Sequence, residues 1–411
     1  MAHFYKPVWL ALCLSFALGA CGGGAGGGGS GGGAAVVAAY PLGLATLSDA
    51  NVVPVVVESG PGRNVNVPYV TVTVCNPGTN HCQSINNVLL DTGSTGLRLF
   101  ASQIDPAVVL PPHRIGDSST ISECAQFLSM VAWGSVRQAD VVMGGERAAS
   151  VAIQLMDANF APLPSDCGDA PLVSTSNSSR TKALYANGIL GVGLFVNDGQ
   201  IYFNCSSPDA SCQISPRISQ QVQNPVRGFA VNNNGIAIQL PTLSEQGANR
   251  AQGYLIFGVG TQSNNQLGMA KVVPVDRSSG TFTTVYKGRA LSNSLIDSGS
   301  NGLYFDDPQV FPASCVRPAG FYCSDSTQHL SASIALATSS APVEFQIANA
   351  NTLFAPGTNL AFNNLGGPAG DNFFDWGLPF FFGRTVFTVI EGQQVGLDSP
   401  TLSGPFHAFS N

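Results

Sequence analysis

Two stretches of this 411-residue chain repeat each other and carry carboxyl groups. Asn87-Val88-Leu89-Leu90-Asp91-Thr92-Gly93-Ser94-Thr95-Gly96-Leu97 recurs as Asn293-Ser294-Leu295-Ile296-Asp297-Ser298-Gly299-Ser300-Asn301-Gly302-Leu303, identical at seven of eleven positions and 206 residues apart. In each copy an aspartate is followed by a hydroxyl residue, a glycine and a serine. The apolar pair before each Asp reads as the end of a buried strand, so the carboxylate emerges at a strand-to-turn junction where protein groups set its solvation. Gly93 and Gly299 permit a tight turn and let backbone N–H groups approach the carboxylate. Thr92 and Ser298 offer short hydroxyls that can bond across to the opposite loop, and Ser94 and Ser300 can donate to the outer carboxylate oxygens. If the chain brings Asp91 and Asp297 together, the two cannot both ionise, and the pair holds one proton. One member then serves as base towards a water, and the other polarises a carbonyl.

The elements that must position these groups read as strands. Glycine (47) and proline (26) are abundant, and short Val-rich runs lie between Ser, Thr and Asn clusters, which is the pattern of many strands joined by tight turns. A hydrophobic content of 44% over this length is enough for a core in each of two lobes. Charged residues make up only 10% and the formal net charge is −7, with no basic run, so nucleic acid is excluded as a partner class. No metal site is expected, because C-x-x-C is absent and His3, His81, His113, His329 and His407 do not cluster. No organic cofactor is expected either.

Residues 1–20 read as an export signal, with Lys6 before an apolar stretch from Val8 to Ala20. Leu18-Gly19-Ala20-Cys21 resembles the lipobox of bacterial lipoproteins, which implies cleavage before Cys21, lipidation of its thiol and a membrane anchor, with Gly22 pointing to the outer membrane. Residues 21–45 form a glycine-rich tether, whose run from 22 to 33 spans roughly 20 Å as a flexible coil. Beyond Cys13 and Cys21 the ten cysteines leave eight, an even number that suits an oxidising compartment. Sequence alone does not fix their connectivity. Short separations favour Cys75 with Cys82, Cys205 with Cys212 and Cys315 with Cys323, leaving Cys124 and Cys167 for each other.

The two Asp-(Thr/Ser)-Gly-Ser loops resemble the catalytic loops of pepsin-like aspartic peptidases, and other stretches follow in that family's order. Tyr69 to Val74, the turn through Asn76-Pro77-Gly78 and the run to Asp91 look like its N-terminal hairpin. Asn187-Gly188-Ile189-Leu190-Gly191-Val192-Gly193 is similar to the apolar-Gly segment behind the first Asp. Gly253 to Gly258 resembles the strand that opens the second lobe. For the segment behind the second Asp, both Trp376-Gly377 and Phe381-Phe382-Gly383 are candidates. The resemblance implies a mostly β, bilobal double β-barrel with pseudo-two-fold symmetry and a central cleft. It implies an N-terminal lobe over 46–245 with Asp91, a C-terminal lobe over 246–411 with Asp297, a monomer, and an extended polypeptide as substrate.

Two departures stand out. Where the family has a Tyr at the tip of a mobile hairpin, this chain offers Ala132-Trp133-Gly134-Ser135, which makes Trp133, Gly134 and Ser135 the flap candidates. The basic prosegment of family zymogens is missing, since Arg63 is the only Lys or Arg between Cys21 and Asp91. A pepsin-like fold that binds without cutting is the rival reading.

Overall fold

The computed structural model describes residues 45–115, 119–205, 212–215, 221–312, 314–396 and 401–410. The signal, Cys21 and the glycine tether therefore lie outside the described residues. Strands dominate because β-branched runs are punctuated by turn residues. Among the described residues the one α-helix is Ala350–Phe354, whose N-cap Asn349 accepts from the backbone of Asn351 and Thr352.

A six-stranded antiparallel sheet joins the two halves of the chain. Val52–Val57 pairs with Ala251–Phe257, which pairs with Gly235–Gln239, then Thr385–Val389, Phe406–Ser410 and Lys271–Pro274. The apolar residues of these strands, among them Val55, Ile238, Leu255 and Val386, are fully buried in the main core. The Gly253–Gly258 segment thus pairs with the first described strand, and the 245/246 boundary falls in a loop between two members of the shared sheet.

Each half then builds the same three-strand unit. In the first, Cys82–Asp91 runs parallel to Gly188–Val192, which is antiparallel to Thr95–Phe100. In the second, Arg289–Ile296 runs parallel to Phe373–Trp376, which is antiparallel to Leu303–Phe305. Parallel strands covered on both faces need unbroken apolar runs, and Val88-Leu89-Leu90 and Leu295-Ile296 supply them. Glycine is required where the middle strand passes the loop: a Cβ on Gly191 would lie 2.7 Å from the Thr95 backbone, and one on Gly377 would lie 2.1 Å from Gly302 O. Gly377, not Gly383, therefore stands behind the second Asp. Phe382 instead bridges to Leu240 beside the shared sheet. The chain has a mostly β, bilobal pepsin-like fold with approximate two-fold symmetry.

The four favoured cysteine pairs are joined in the structure: Cys75–Cys82, Cys124–Cys167, Cys205–Cys212 and Cys315–Cys323. The first closes the hairpin of Pro68–Cys75 with Cys82–Asp91.

Candidate active site

Each strand that enters an Asp loop ends in buried apolar residues, so Asp91 and Asp297 are carried to the middle of the molecule, where both are fully buried. The loops grip each other. Ser298 N donates to Thr92 Oγ1 at 2.9 Å, and Thr92 Oγ1 donates to Ile296 O at 3.1 Å. In mirror fashion Thr92 N donates to Ser298 Oγ at 3.1 Å, and Ser298 Oγ donates to Leu90 O at 2.8 Å. The hydroxyl and backbone N–H of Thr92 and of Ser298 are satisfied across the pair, so neither loop can shift without orphaning backbone groups of the other.

Each carboxylate is held in the same way. Gly93 N donates to Asp91 Oδ1 at 2.8 Å, and Ser94 Oγ donates to Asp91 Oδ2. Gly299 N donates to Asp297 Oδ1 and Ser300 Oγ to Asp297 Oδ2, both at 2.8 Å. A Cβ on Gly93 would sit 2.6 Å from Asp297 Cγ, so only glycine lets the first loop approach the second carboxyl this closely. The two carboxyls lie close enough for each to shift the proton affinity of the other. The structure brings together Asp91, Asp297, Thr92, Gly93, Ser94, Ser298, Gly299 and Ser300.

The members differ in their surroundings. Burial pushes Asp91 up, but the bond to Asp297, the donors Ser94 and Gly93 and the Arg98 guanidinium all pull it back. Asp297 is driven well above the usual carboxylate range by burial, then by the charge of Asp91 and of a third carboxyl, Asp375. Both are raised chiefly by burial, so the pair holds one proton between them and titrates as a unit.

Trp133 is not at a flap tip. The hairpin of Ser119–Phe127 with Met130–Met143 turns at Leu128 and Ser129, and Trp133 lies inside the second strand, opposite Cys124. Its indole donates to Ala161 O at 2.9 Å and packs edge-on against Phe160 and Phe203. Strand alternation turns it into this small core beside Cys167. Gly134 is needed because a Cβ there would meet Leu155 O at 1.9 Å, and Ser135 Oγ accepts from Arg137 Nε at 2.9 Å. All three flap candidates belong to the body of the hairpin.

Sequence reasoning missed three contributors. Arg98, on the strand leaving the first loop, is buried and pairs with Glu123 at 2.5 Å and Asp198 at 2.6 Å, which ties the hairpin to the loop. Asp198 also accepts from Tyr202 Oη at 2.8 Å. Asn66, held at a φ of 52°, donates to Asn301 O at 2.8 Å and Phe362 O at 2.9 Å, strapping the first half to the second loop. Asp375 stands behind the second loop. The available signal for Arg98 and Asp375 was a single charged residue inside an apolar run, as in Leu97-Arg98-Leu99 and Phe374-Asp375-Trp376.

Four buried carboxyls, Asp91, Glu123, Asp297 and Asp375, have pKa values raised above the ordinary range, chiefly by burial. The folded chain keeps protons there that the unfolded chain has released. This share of stability is complete below the unfolded carboxyl values and is lost as pH rises through the folded ones. His407, buried and pushed down to about 4, acts oppositely: its share is present above its unfolded value and is lost as pH falls towards the folded one. Above the ordinary imidazole range the raised carboxyls lose their protons as pH rises through their folded values, so the melting temperature is expected to fall between mildly acid and mildly alkaline pH. Calorimetry at the two ends checks this, and a melting temperature that rises with pH contradicts it.

A bilobal pepsin-like fold with paired Asp loops at its centre is the class that this architecture defines. A family model described as "Protein of unknown function (DUF3443)" matches residues 47–409, and the chain belongs to that family. No curated protein matches the sequence. Among solved structures it is similar to the aspartic proteinase from Irpex lacteus at 14% identity and a TM-score of 0.49, over 87% of this chain and 96% of that one.

Proposed function

We propose that this chain is an aspartic endopeptidase that hydrolyses extended polypeptides with a water shared by Asp91 and Asp297. The observation that carries the reading is the reciprocal grip of Thr92 and Ser298, which holds two buried carboxyls against each other. Asp91 takes a proton from the water as its oxygen attacks the scissile carbonyl carbon, while Asp297 gives its proton to the carbonyl oxygen. Asp91 then gives the proton it took to the amide nitrogen, and the C–N bond breaks as a gem-diol hydroxyl returns its proton to Asp297, with no covalent enzyme intermediate. Substrate lies extended, bonded through its backbone, and the enzyme works as a monomer.

The purified protein is expected to cleave a denatured protein between about pH 3 and about pH 7, and to be blocked by a statine-type inhibitor. Absence of cleavage together with indifference to the inhibitor overturns the proposal. One observation favours the second reading, a pepsin-like fold that binds a peptide, protein or glycan without cutting: neither Asp of the pair has any exposed surface, so solvent does not touch the dyad in this arrangement. Binding of the inhibitor without cleavage is the result that selects it.

The lipobox-like run before Cys21 supports a further part of the proposal, attachment to a bacterial outer membrane through a lipid on that thiol. C21S is expected to move the protein from the membrane fraction to the soluble fraction, and an unchanged distribution contradicts attachment there.

A further inference from the structure

Ser340–Ile347 stands at one edge of the seven-stranded sheet in the second half of the chain. It pairs with Gln328–Ala335 along its whole length, and among the described residues no strand pairs with its other side. An edge of eight residues offers a row of N–H and C=O groups to another chain. Pro342 lies on this strand, and a sheet admits proline where the missing N–H faces away from the neighbouring strand. Backbone groups alternate between the two sides of a strand, so those of Glu344 and Gln346 point outward with Pro342.

The same edge borders a cavity of about 210 Å³, which Glu344, Phe345 and Gln346 line together with Trp376, Phe380 and Arg384. No residue of either Asp loop, 91–94 or 297–300, lines it. The Arg384 guanidinium lies over the Phe380 ring, 4.7 Å from its centre. Walls made of rings and a guanidinium favour an aromatic side chain over an aliphatic one. The rim has the opposite character. Glu344 is exposed, and Glu245, also exposed, accepts from Gln346 Nε2 at 3.1 Å, so two acidic side chains stand along the edge.

We propose that this edge is a docking site for an extended segment of another polypeptide, separate from the dyad. The segment adds as a further strand along Glu344 and Gln346, places an aromatic side chain in the cavity, and sets a basic residue on each side of the aromatic one against the acidic rim. The alternation follows from the strand itself. Val343 is buried and Phe345 packs against the main core, whereas Glu344 is exposed. On an added strand the residue beside Phe345 therefore turns inward, and its two neighbours turn outward towards Glu344 and Glu245.

Docking does not require the dyad to cleave anything, so it is read as binding to full-length D297N protein, which spares the probe. The probe is a fluorescein-labelled threonine-rich peptide with Lys-Phe-Lys at its centre, and fluorescence anisotropy is expected to give a Kd on the order of 10 μM. Replacing its Phe by Ala should weaken binding about tenfold, because the cavity is left unfilled. N-methylation of alternate peptide nitrogens should cost about tenfold in one of the two possible sets and little in the other, as pairing along a single edge requires. E344K should weaken the Lys-Phe-Lys peptide about fivefold and strengthen a Glu-Phe-Glu peptide by a similar factor, a reversal that neither misfolding nor binding at the dyad would produce. No binding, binding that ignores the Phe, equal effects of the two methylated sets, or an E344K effect shared by both peptides overturns the proposal. So does a protein that sediments as a dimer and becomes a monomer with E344K, since the edge then belongs to a second copy. A protein that takes the probe only after residues 22–44 are removed overturns it too, because its own N-terminal segment is then the occupant.

Discussion

Replacing Asp297 by Asn is expected to lower kcat/KM for peptide cleavage by on the order of 10⁴-fold, and replacing Asp91 by Asn by a similar factor. On the proposed mechanism D297N removes the proton that polarises the scissile carbonyl, and D91N removes the base that takes the proton of the water. Because the two act as one unit, the double variant should lose little more than either single one. Stability should change by no more than about 1 kcal/mol, since Asn keeps the volume and one acceptor oxygen, and relieves the confrontation of two acids. The acceptor remains available to Gly299 N, and Ser300 can reverse its role and accept from the new amide. Cleavage assays paired with calorimetry on the same preparations separate the outcomes. Loss of activity with an intact melting transition is the expected pattern, and loss of both together would mean that the Asp loops are structural turns.

The parts of this site that were legible in sequence are those carried by repetition. Asp91 and Asp297 stand in copies that keep their hydroxyl, glycine and serine neighbours, because each must solve the same problem of turning a buried strand out towards its twin. The glycines behind them could be anticipated as a type, but the choice between Gly377 and Gly383 needed the pairing of Phe373–Trp376 with the catalytic strand. Trp133 misled for a physical reason. Gly134 beside it looks like a turn residue, yet it is there to admit the Leu155 carbonyl, while the real turn uses Leu128 and Ser129, which advertise nothing. Asp375 and Arg98 could be suspected from their apolar surroundings in the chain, but their partners lie on strands distant in sequence. No spacing rule connects Arg98 to Asp198, and only the folded register sets Asp375 between Leu295 and Tyr304.

Arg98 carries the largest expected effect on stability. It is buried together with Glu123 and Asp198, and its Nη1 also donates to Thr95 O at 2.8 Å. Burial works against the cation, but the two carboxylates outweigh it and hold its pKa above the ordinary value. Burial of this kind is stable only while charges are matched, so R98M leaves two acids facing each other in an apolar setting. The expected loss is about 3–5 kcal/mol, on the order of 5–10 °C in melting temperature. Asp198 keeps its bonds from Tyr202 and from the Gln200 backbone, whereas Glu123 Oε2 already has no donor. Glu123 is therefore the group left most exposed to the loss. Removing it as well, in R98M/E123L, is expected to restore more than half of the stability, because well-packed apolar groups can replace a buried ion pair at little net cost. The cation also lowers Asp91, so in R98M the acid limb of the activity profile should move towards higher pH, and E123L should not reverse that shift. Calorimetry and pH profiles of the single and double variants check both halves. If R98M melts with the parent protein, the cluster does not hold the hairpin to the catalytic loop. If the profile stays in place while stability falls, Arg98 braces the fold without tuning the dyad.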